Sequence, residues 1–142
     1  MRQFFIIGTN VVVAGLLTER SDSPVAKILD GMLSATFSFV LSKELLAEYS
    51  EVLMRPKLCK LHGLSADEVD TVLQSIAQHA IMLTTTSSLG DIAPDAGDQF
   101  LWDLLAARKD LVLVTGDKLL LAAADMSPRV ITAQALHAAE LL

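Results

Sequence analysis

Short apolar runs alternate with amphipathic stretches along the chain, and this alternation predicts the order of strands and helices. Runs rich in β-branched and aromatic residues are typical of strands. The predicted strands are Phe4–Ile7, Thr36–Leu41, Ile81–Thr85, Leu111–Thr115 and Val130–Ile131. The fourth is almost wholly apolar, as expected for a strand that is covered on both faces.

Capping residues mark where the helices begin. Ser23 precedes a proline, Ser42 precedes an amphipathic stretch, and Ser65 forms a capping box with Glu68. Asn10 lies near the predicted start of the first helix, and Pro56 ends the third. The predicted helices are Asn10–Leu17, Pro24–Met32, Lys43–Met54, a helix from Ala66, Asp98–Arg108, Lys118–Asp125 and Ala133–Leu142.

This order of elements favours a three-layer α/β fold with a mostly parallel sheet of about five strands. The 142 residues suit a single domain over 1–142, since one core commonly serves a chain of this length. In open parallel sheets, ligands bind beyond the carboxyl ends of the strands, where the strand order reverses. Candidate functional residues are therefore expected at strand ends.

Composition narrows the range of functions. Apolar residues make up 52% of the chain, which is ample for a buried core. Aromatic residues make up only 5%, too few for a stacking platform along single-stranded nucleic acid. The net charge of −6 argues against a domain that grips nucleic acid by bulk electrostatics. Any contact with nucleic acid must therefore be local, or assisted by metal ions or by a basic partner.

The cellular location predicted from the sequence is the cytoplasm. Cys59 is the only cysteine, so no internal disulfide can form, which suits a reducing compartment. The apolar start of the chain is broken at Gly8-Thr9-Asn10, and no signal-cleavage pattern follows. The longest stretch without charged residues, Thr71 to Gly90, is too polar to span a membrane.

Acidic residues at element ends are the main candidates for chemistry. The common nucleotide-binding, zinc and hydrolase motifs do not occur in the sequence. Asp117 directly follows the fourth strand, Asp98 opens a helix, and Glu48 lies one turn into the third helix. Carboxylates that converge at one rim repel each other unless a cation lies between them. Hard oxygen ligands of this kind select Mg²⁺ or Mn²⁺.

Each of these acids also has a purely structural interpretation. Asp98 and Asp117 could cap the helices that they precede and interact with the helix dipole. Glu48 could belong to a solvated helix face, because Glu44 and Glu51 flank it at helical spacing. The grouping of the three acids is what favours a functional interpretation.

Four ordered segments resemble the motifs of PIN domains. In that family a hydrophobic first strand runs into Asp-Thr-Asn, and three further acidic motifs follow. The matching segments are Phe5–Val13, Leu41–Tyr49, Asp95–Leu101 and Val114–Leu120. The resemblance covers essentially the whole chain, and it is closest to the bacterial VapC-like toxins of toxin–antitoxin pairs.

The resemblance implies a fold and an activity. The implied fold has a five-stranded parallel sheet in the order 3-2-1-4-5. The implied activity is that of an endoribonuclease that hydrolyses single-stranded RNA with Mg²⁺ or Mn²⁺. An antitoxin protein and a second copy in a homodimer are the implied partners, and no membrane is involved. By position, Glu48, Asp98 and Asp117 match the metal site, Asn10 and Thr115 match polar residues that steady it, and Ser42 and Asp95 match further supports.

The chain departs from the family pattern at Gly8, where the family has its first aspartate. By itself Gly8 reads as an ordinary glycine of a strand-to-helix turn. Within the family pattern it removes an expected metal ligand, and nuclease activity is expected to be impaired. Three hypotheses follow: a PIN-type ribonuclease, a degenerate PIN module that binds RNA or a protein without cleavage, and an unrelated small-molecule-binding α/β domain.

Overall fold

The strands form one parallel sheet at the centre of a three-layer α/β/α arrangement. A computed structural model describes residues 3–84, 99–122 and 129–138. Within them the strands are β1 (Phe4–Ile7), β2 (Ser38–Leu41), β3 (Ile81–Met82), β4 (Leu111–Val114) and β5 (Val130–Ile131). The sheet order is β3-β2-β1-β4-β5, and every neighbouring pair is parallel. The predicted fold class and strand order are confirmed.

Eight helices occur within the described residues. They are α1 (Thr9–Leu17), α2 (Pro24–Ser34), α3 (Lys43–Leu53), α4 (Pro56–His62), α5 (Ala66–His79), α6 (Gln99–Ala107), α7 (Lys118–Leu121) and α8 (Ala133–Ala138). Ser23, Ser42 and Ser65 cap their helices as predicted, and Ser65 and Glu68 form both bonds of the capping box. No helix among these residues is long and apolar enough to cross a membrane.

Helix α4 is not among the predicted elements. The sequence pattern assigns Pro56 only to the end of the preceding helix, whereas Pro56 is also the first residue of the next one. Proline is favoured at that position because the amide that it lacks would have no partner within the helix. Gly63, with φ of 69°, ends α4 in the left-handed region that favours glycine.

Two predicted boundaries at the second strand are wrong. Helix α2 continues to Ser34, and Ala35 follows with φ of 59° in the left-handed region. The amide of Thr36 then donates to the carbonyl of Gly31, so this residue belongs to the turn that closes α2. The strand therefore begins at Ser38 instead of Thr36.

Smaller differences occur at other element ends. Helix α1 begins at Thr9, one residue before the predicted start at Asn10, and its N-cap is Gly8. Strand β3 ends at Met82, and Thr115 lies just past the end of β4. The predicted ends of three elements, at Thr85, Asp125 and Leu142, lie outside the described residues.

The core lies on both faces of the sheet. Strands β1, β2 and β4 are almost entirely buried, and Ile6, Phe39 and Leu113 are among their inaccessible residues. Helices α1 and α2 pack closely because Gly15 has no side chain: a Cβ there would lie 2.7 Å from the carbonyl oxygen of Val25. This packing holds α1 against the sheet, directly after the end of β1.

Candidate active site

The candidate site lies at the carboxyl edge of the two central strands. Gly8 follows β1, and Thr115, Gly116 and Asp117 follow β4. The amide of Gly8 donates to the carbonyl of Val114 at 2.8 Å, which joins the two strand ends. The strand order reverses at this point, because β1 and β4 are neighbours while β2 lies on the other side of β1. This is the edge at which the sheet topology predicts a ligand.

A cleft of about 490 Å³ opens at this edge. Four of the predicted site residues that the structure describes line it: Asn10, Glu48, Thr115 and Asp117. Gly8 also lines it, together with Thr9 and with apolar residues of α1, α3, α6 and α7. The fold therefore brings Glu48 and Asp117 to one cleft from distant parts of the sequence.

Glu48 is held by a residue that the sequence analysis did not single out. The side chain is half-buried on α3, and the hydroxyl of Thr9 donates a hydrogen bond to its carboxylate. Thr9 is the first residue of α1, so this bond joins α1 to α3 across the mouth of the cleft. The pair Thr9-Asn10 matches the family motif in the sequence. The hydrogen bond from the Thr9 hydroxyl to Glu48 could not be predicted, because Glu48 lies far from Thr9 in the sequence.

Tyr49 fixes the end of β1 from the interior. Its side chain is fully buried, and its hydroxyl donates to the carbonyl of Ile7, the residue before Gly8. Burial raises the pKa of the Tyr49 phenol well above its ordinary value, and the nearby Glu48 carboxylate raises that pKa further. Tyr49 is therefore a neutral, permanent donor that anchors the strand end beneath the cleft.

Thr115 shapes the turn that carries Asp117. The Thr115 side chain is buried, and its hydroxyl oxygen accepts a hydrogen bond from the amide of Asp117 at 3.1 Å. The amide of Thr115 donates to the carbonyl of Ile131 at 2.9 Å, which fastens the same turn to β5. Asp117 is half-buried. The role of Thr115 as a structural support of the aspartate position follows from these two bonds.

Gly8 occupies a position where a side chain would enter the cleft. Its φ of −62° and ψ of 150° are extended backbone that any residue adopts. A Cβ at this position would lie 3.1 Å from the carbonyl oxygen of Val114, 3.2 Å from Asn10 Oδ1 and 3.4 Å from Thr115 Oγ1. The backbone thus permits an aspartate here, with a small adjustment of its close neighbours.

The remaining predicted residues fall into two groups. Ser42 is buried at the carboxyl end of β2, where its hydroxyl oxygen accepts from the amide of Leu45 at 3.1 Å. It caps α3 and is not among the described residues that line the cleft. Asp95 and Asp98 lie outside the described residues.

The donor set of the cleft consists of oxygen atoms. Among the described residues, the cleft offers two carboxylates, from Glu48 and Asp117, and the amide oxygen of Asn10. Carboxylate and amide oxygens are the ligands that Mg²⁺ and Mn²⁺ prefer, so the residues present fit such an ion. Among the described residues, no three acidic, histidine or cysteine side chains cluster closely enough to form a metal site by themselves.

Comparison with known proteins identifies the family. A family model described as PIN domain matches residues 5–119. No curated protein matches the chain significantly. The matched region contains β2, β3, β4 and all of β1 except Phe4. It also contains all of the described cleft residues except Leu120, and thus the position of Gly8. PIN domains have a nuclease-type fold, PIN nucleases act on RNA, and PIN domains are generally dependent on divalent metal ions. The chain belongs to the PIN-domain family.

Proposed function

We propose that this protein is a metal-dependent ribonuclease that acts on single-stranded RNA, and that Gly8 reduces its activity. The observation that carries this proposal is the meeting of Glu48 and Asp117 in one cleft at the carboxyl edge of β1 and β4. The oxygen-rich donor set supports a divalent cation there, and the match to the PIN domain supports a nuclease.

The residues of the cleft have distinct roles in this proposal. Glu48 and Asp117 hold the cation, with Asp98 as a third carboxylate and Asp95 as an outer acid. When bound, a divalent ion polarises the scissile phosphodiester and lowers the pKa of a water that attacks it. Thr9 orients the Glu48 carboxylate through its hydroxyl, and Thr115 fixes the backbone from which Asp117 projects. Asn10 supplies a neutral oxygen beside Gly8.

Gly8 lowers the negative charge of the cleft. Three carboxylates remain where the family pattern gives four, so the electrostatic attraction for a divalent ion falls. A water molecule would have to take the place of the missing carboxylate if a divalent ion were bound. We therefore expect weak Mg²⁺ binding and little or no cleavage by the sequence as it stands.

Cleavage of single-stranded RNA by the unsubstituted protein and by Gly8→Asp, compared side by side, tests the proposal. Both proteins are incubated with a labelled RNA while Mn²⁺ or Mg²⁺ is titrated. We expect the variant to cut much faster, because it regains the fourth carboxylate on a backbone that accepts it. The new activity should disappear in EDTA and in the double variant that adds Asp117→Asn.

Two outcomes would revise the proposal. Equal rates for the unsubstituted protein and Gly8→Asp would show that the account of the first ligand is wrong. Failure of both proteins to cut any RNA that they bind would favour the second candidate, a module without catalytic activity.

The second candidate is a degenerate PIN module that binds RNA or a protein partner without cleavage. Gly8 supports it, because this residue supplies no carboxylate at the position where the family pattern has its first aspartate. The third hypothesis, an unrelated small-molecule-binding domain, is wrong because the chain belongs to the PIN-domain family.

We further propose that the protein is a cytoplasmic, VapC-like toxin that forms a homodimer and is controlled by an antitoxin. The resemblance of the four motif segments to those toxins supports this assignment. A small reading frame for a DNA-binding protein beside the gene is the expected companion. Co-expression of that neighbour should retain it with this protein through purification, and separate elution of the two would contradict the pairing.

A further inference from the structure

A second cleft adjoins the candidate active site on the side of β5. It measures about 460 Å³, and it shares Asn10, Ala14 and Thr115 with the first cleft. The two clefts are therefore neighbouring parts of one groove, with Asn10 and Thr115 between them. The second cleft is further lined by Gly116 and Lys118, which follow β4, and by Thr132, which follows β5.

Lys118 gives the second cleft its positive charge. The side chain is exposed, directly follows Asp117 of the first cleft, and forms no ion pair or hydrogen bond with any described residue. A cation thus lies one residue from a carboxylate of the candidate active site, in a chain whose net charge is −6. On such a chain, this lysine is a local point of attraction for an anion.

The polar side chains around Lys118 are hydrogen-bond donors. The hydroxyl oxygen of Thr132 accepts from the amide of Ala135 at 3.0 Å, so its own hydrogen remains to be donated. The exposed amide of Gln134 carries two further donor hydrogens. Val25 and Leu121, both half-buried, supply apolar surface beside them. An ammonium group, donors and apolar surface together suit one nucleotide of an RNA strand.

We propose that this second cleft binds the nucleotide next to the scissile phosphate, and that Lys118 contacts its phosphate group. This inference rests on the proposed function, because it takes RNA as the substrate of the adjoining cleft. Because the two clefts share lining residues, a strand that is bound in the first cleft can extend into the second. Lys118 acts here as a positioning residue that sets the path of the strand.

The test measures RNA binding without cleavage. A fluorescein-labelled single-stranded RNA of twelve nucleotides is titrated with the unsubstituted protein in EDTA, and fluorescence anisotropy gives the dissociation constant at several salt concentrations. The same measurement is made on Lys118→Gln, on Lys118→Arg and on Lys109→Gln. Lys109 is an exposed lysine just before β4, at the opposite edge of the sheet, and serves as the matched control.

We expect Lys118→Gln to weaken RNA binding by about threefold to tenfold. The slope of log affinity against log salt concentration should fall in magnitude by about 0.7, which is the value for one phosphate contact on a single strand. Lys118→Arg and Lys109→Gln should stay within about twofold of the unsubstituted protein, since both leave a cation in the second cleft. Equal affinities for Lys118→Gln and Lys109→Gln would overturn the proposal, as would the absence of RNA binding by the unsubstituted protein at low salt. Because this assay measures binding and not cleavage, failure of the proposal for Lys118 can be distinguished from failure of the nuclease proposal.

Discussion

At the scale of single residues, two contacts between distant parts of the sequence set up the cleft. Thr9 bonds to Glu48, and Tyr49 bonds to the carbonyl of Ile7, so adjacent residues of α3 hold both sides of Gly8. Neither contact could be read from the sequence, because periodicity and capping report only on neighbours in the chain. The acidic candidates, in contrast, could be found because strand ends in a parallel sheet meet at one edge.

Removal of the Tyr49 hydroxyl should destabilise the protein. In Tyr49→Phe the buried ring is kept while the donor to the Ile7 carbonyl is lost, at a cost of about 1–2 kcal/mol. Urea unfolding followed by circular dichroism measures the change. A free energy of unfolding equal to that of the unsubstituted protein would show that the Ile7 carbonyl does not depend on this bond.

At the scale of elements, Arg129 ties α6 to the sheet. Its guanidinium donates to the carbonyls of Leu105, Arg108 and Leu111 at 2.8, 2.6 and 3.1 Å. The first two carbonyls lie at the end of α6, where backbone acceptors have no partner within the helix. One side chain just before β5 therefore joins a helix end to the start of β4.

Loss of this guanidinium should cost more than loss of an ordinary surface arginine. We expect Arg129→Met to lower the free energy of unfolding by about 2 kcal/mol, since charged donors to carbonyls are lost. Arg129→Lys should recover little of this free energy, because an ammonium group cannot reproduce the planar, forked arrangement of donors in a guanidinium group. Arg20→Met, which removes an exposed ion pair with Asp22, should stay within about 0.5 kcal/mol in the same urea titration. Similar losses in Arg129→Met and Arg20→Met would contradict this account.

The stability that the capping box at the N-terminus of α5 contributes should decrease in acid. Its capping box places the Glu68 carboxylate against the Ser65 amide, and hydrogen bonds with Ser65 lower the pKa of Glu68 below its ordinary value of 4.5. A carboxyl with a depressed folded-state pKa stabilises the fold above its ordinary pKa and loses that contribution as the pH falls. The stability advantage over Glu68→Gln should therefore be constant above pH 4.5 and shrink below it. Urea titrations of both proteins at several pH values measure it, and an advantage that does not change with pH would contradict the prediction.

The elements themselves could be predicted well where local signals agree. The bounds of β1 and β5 follow from apolar runs, and the start of α5 follows from its capping box. Errors arose where one residue carries two signals, as at Pro56, which ends one helix and begins another. Errors also arose at Ala35, which adopts the left-handed conformation although it is not a glycine. A glycine at this position would have indicated the end of the helix.

At the scale of the whole molecule, the excess of acidic residues shapes what the protein can bind. The net charge of −6 repels a nucleic-acid backbone in general, so RNA must be attracted by local positive groups such as Lys118 or by a bound metal ion. Family membership could be predicted from four ordered motifs. The oligomeric state could not be predicted in this way, because it depends on the shape of the surface, which no motif describes.

We expect the protein to sediment as a symmetric dimer at tens of micromolar concentration. The high apolar content, 52%, and the resemblance to VapC-like toxins favour it, and symmetric dimers are the commonest homo-oligomers. Sedimentation velocity measures the mass directly against the 15.3 kDa of one chain. A monomer throughout this range would contradict the prediction.

Calorimetric titration of Mn²⁺ into the unsubstituted protein, Gly8→Asp and Gly8→Asn tests whether the cleft between Glu48 and Asp117 is a divalent-metal site. It also tests whether the lack of a carboxylate at position 8 weakens that site. Aspartate and asparagine place the same shape on the same extended backbone, so only the charge differs between the two variants. We expect Gly8→Asp to bind Mn²⁺ about tenfold or more tighter than the unsubstituted protein. Gly8→Asn should bind far more weakly than Gly8→Asp. Equal Mn²⁺ affinity in all three proteins would contradict the account.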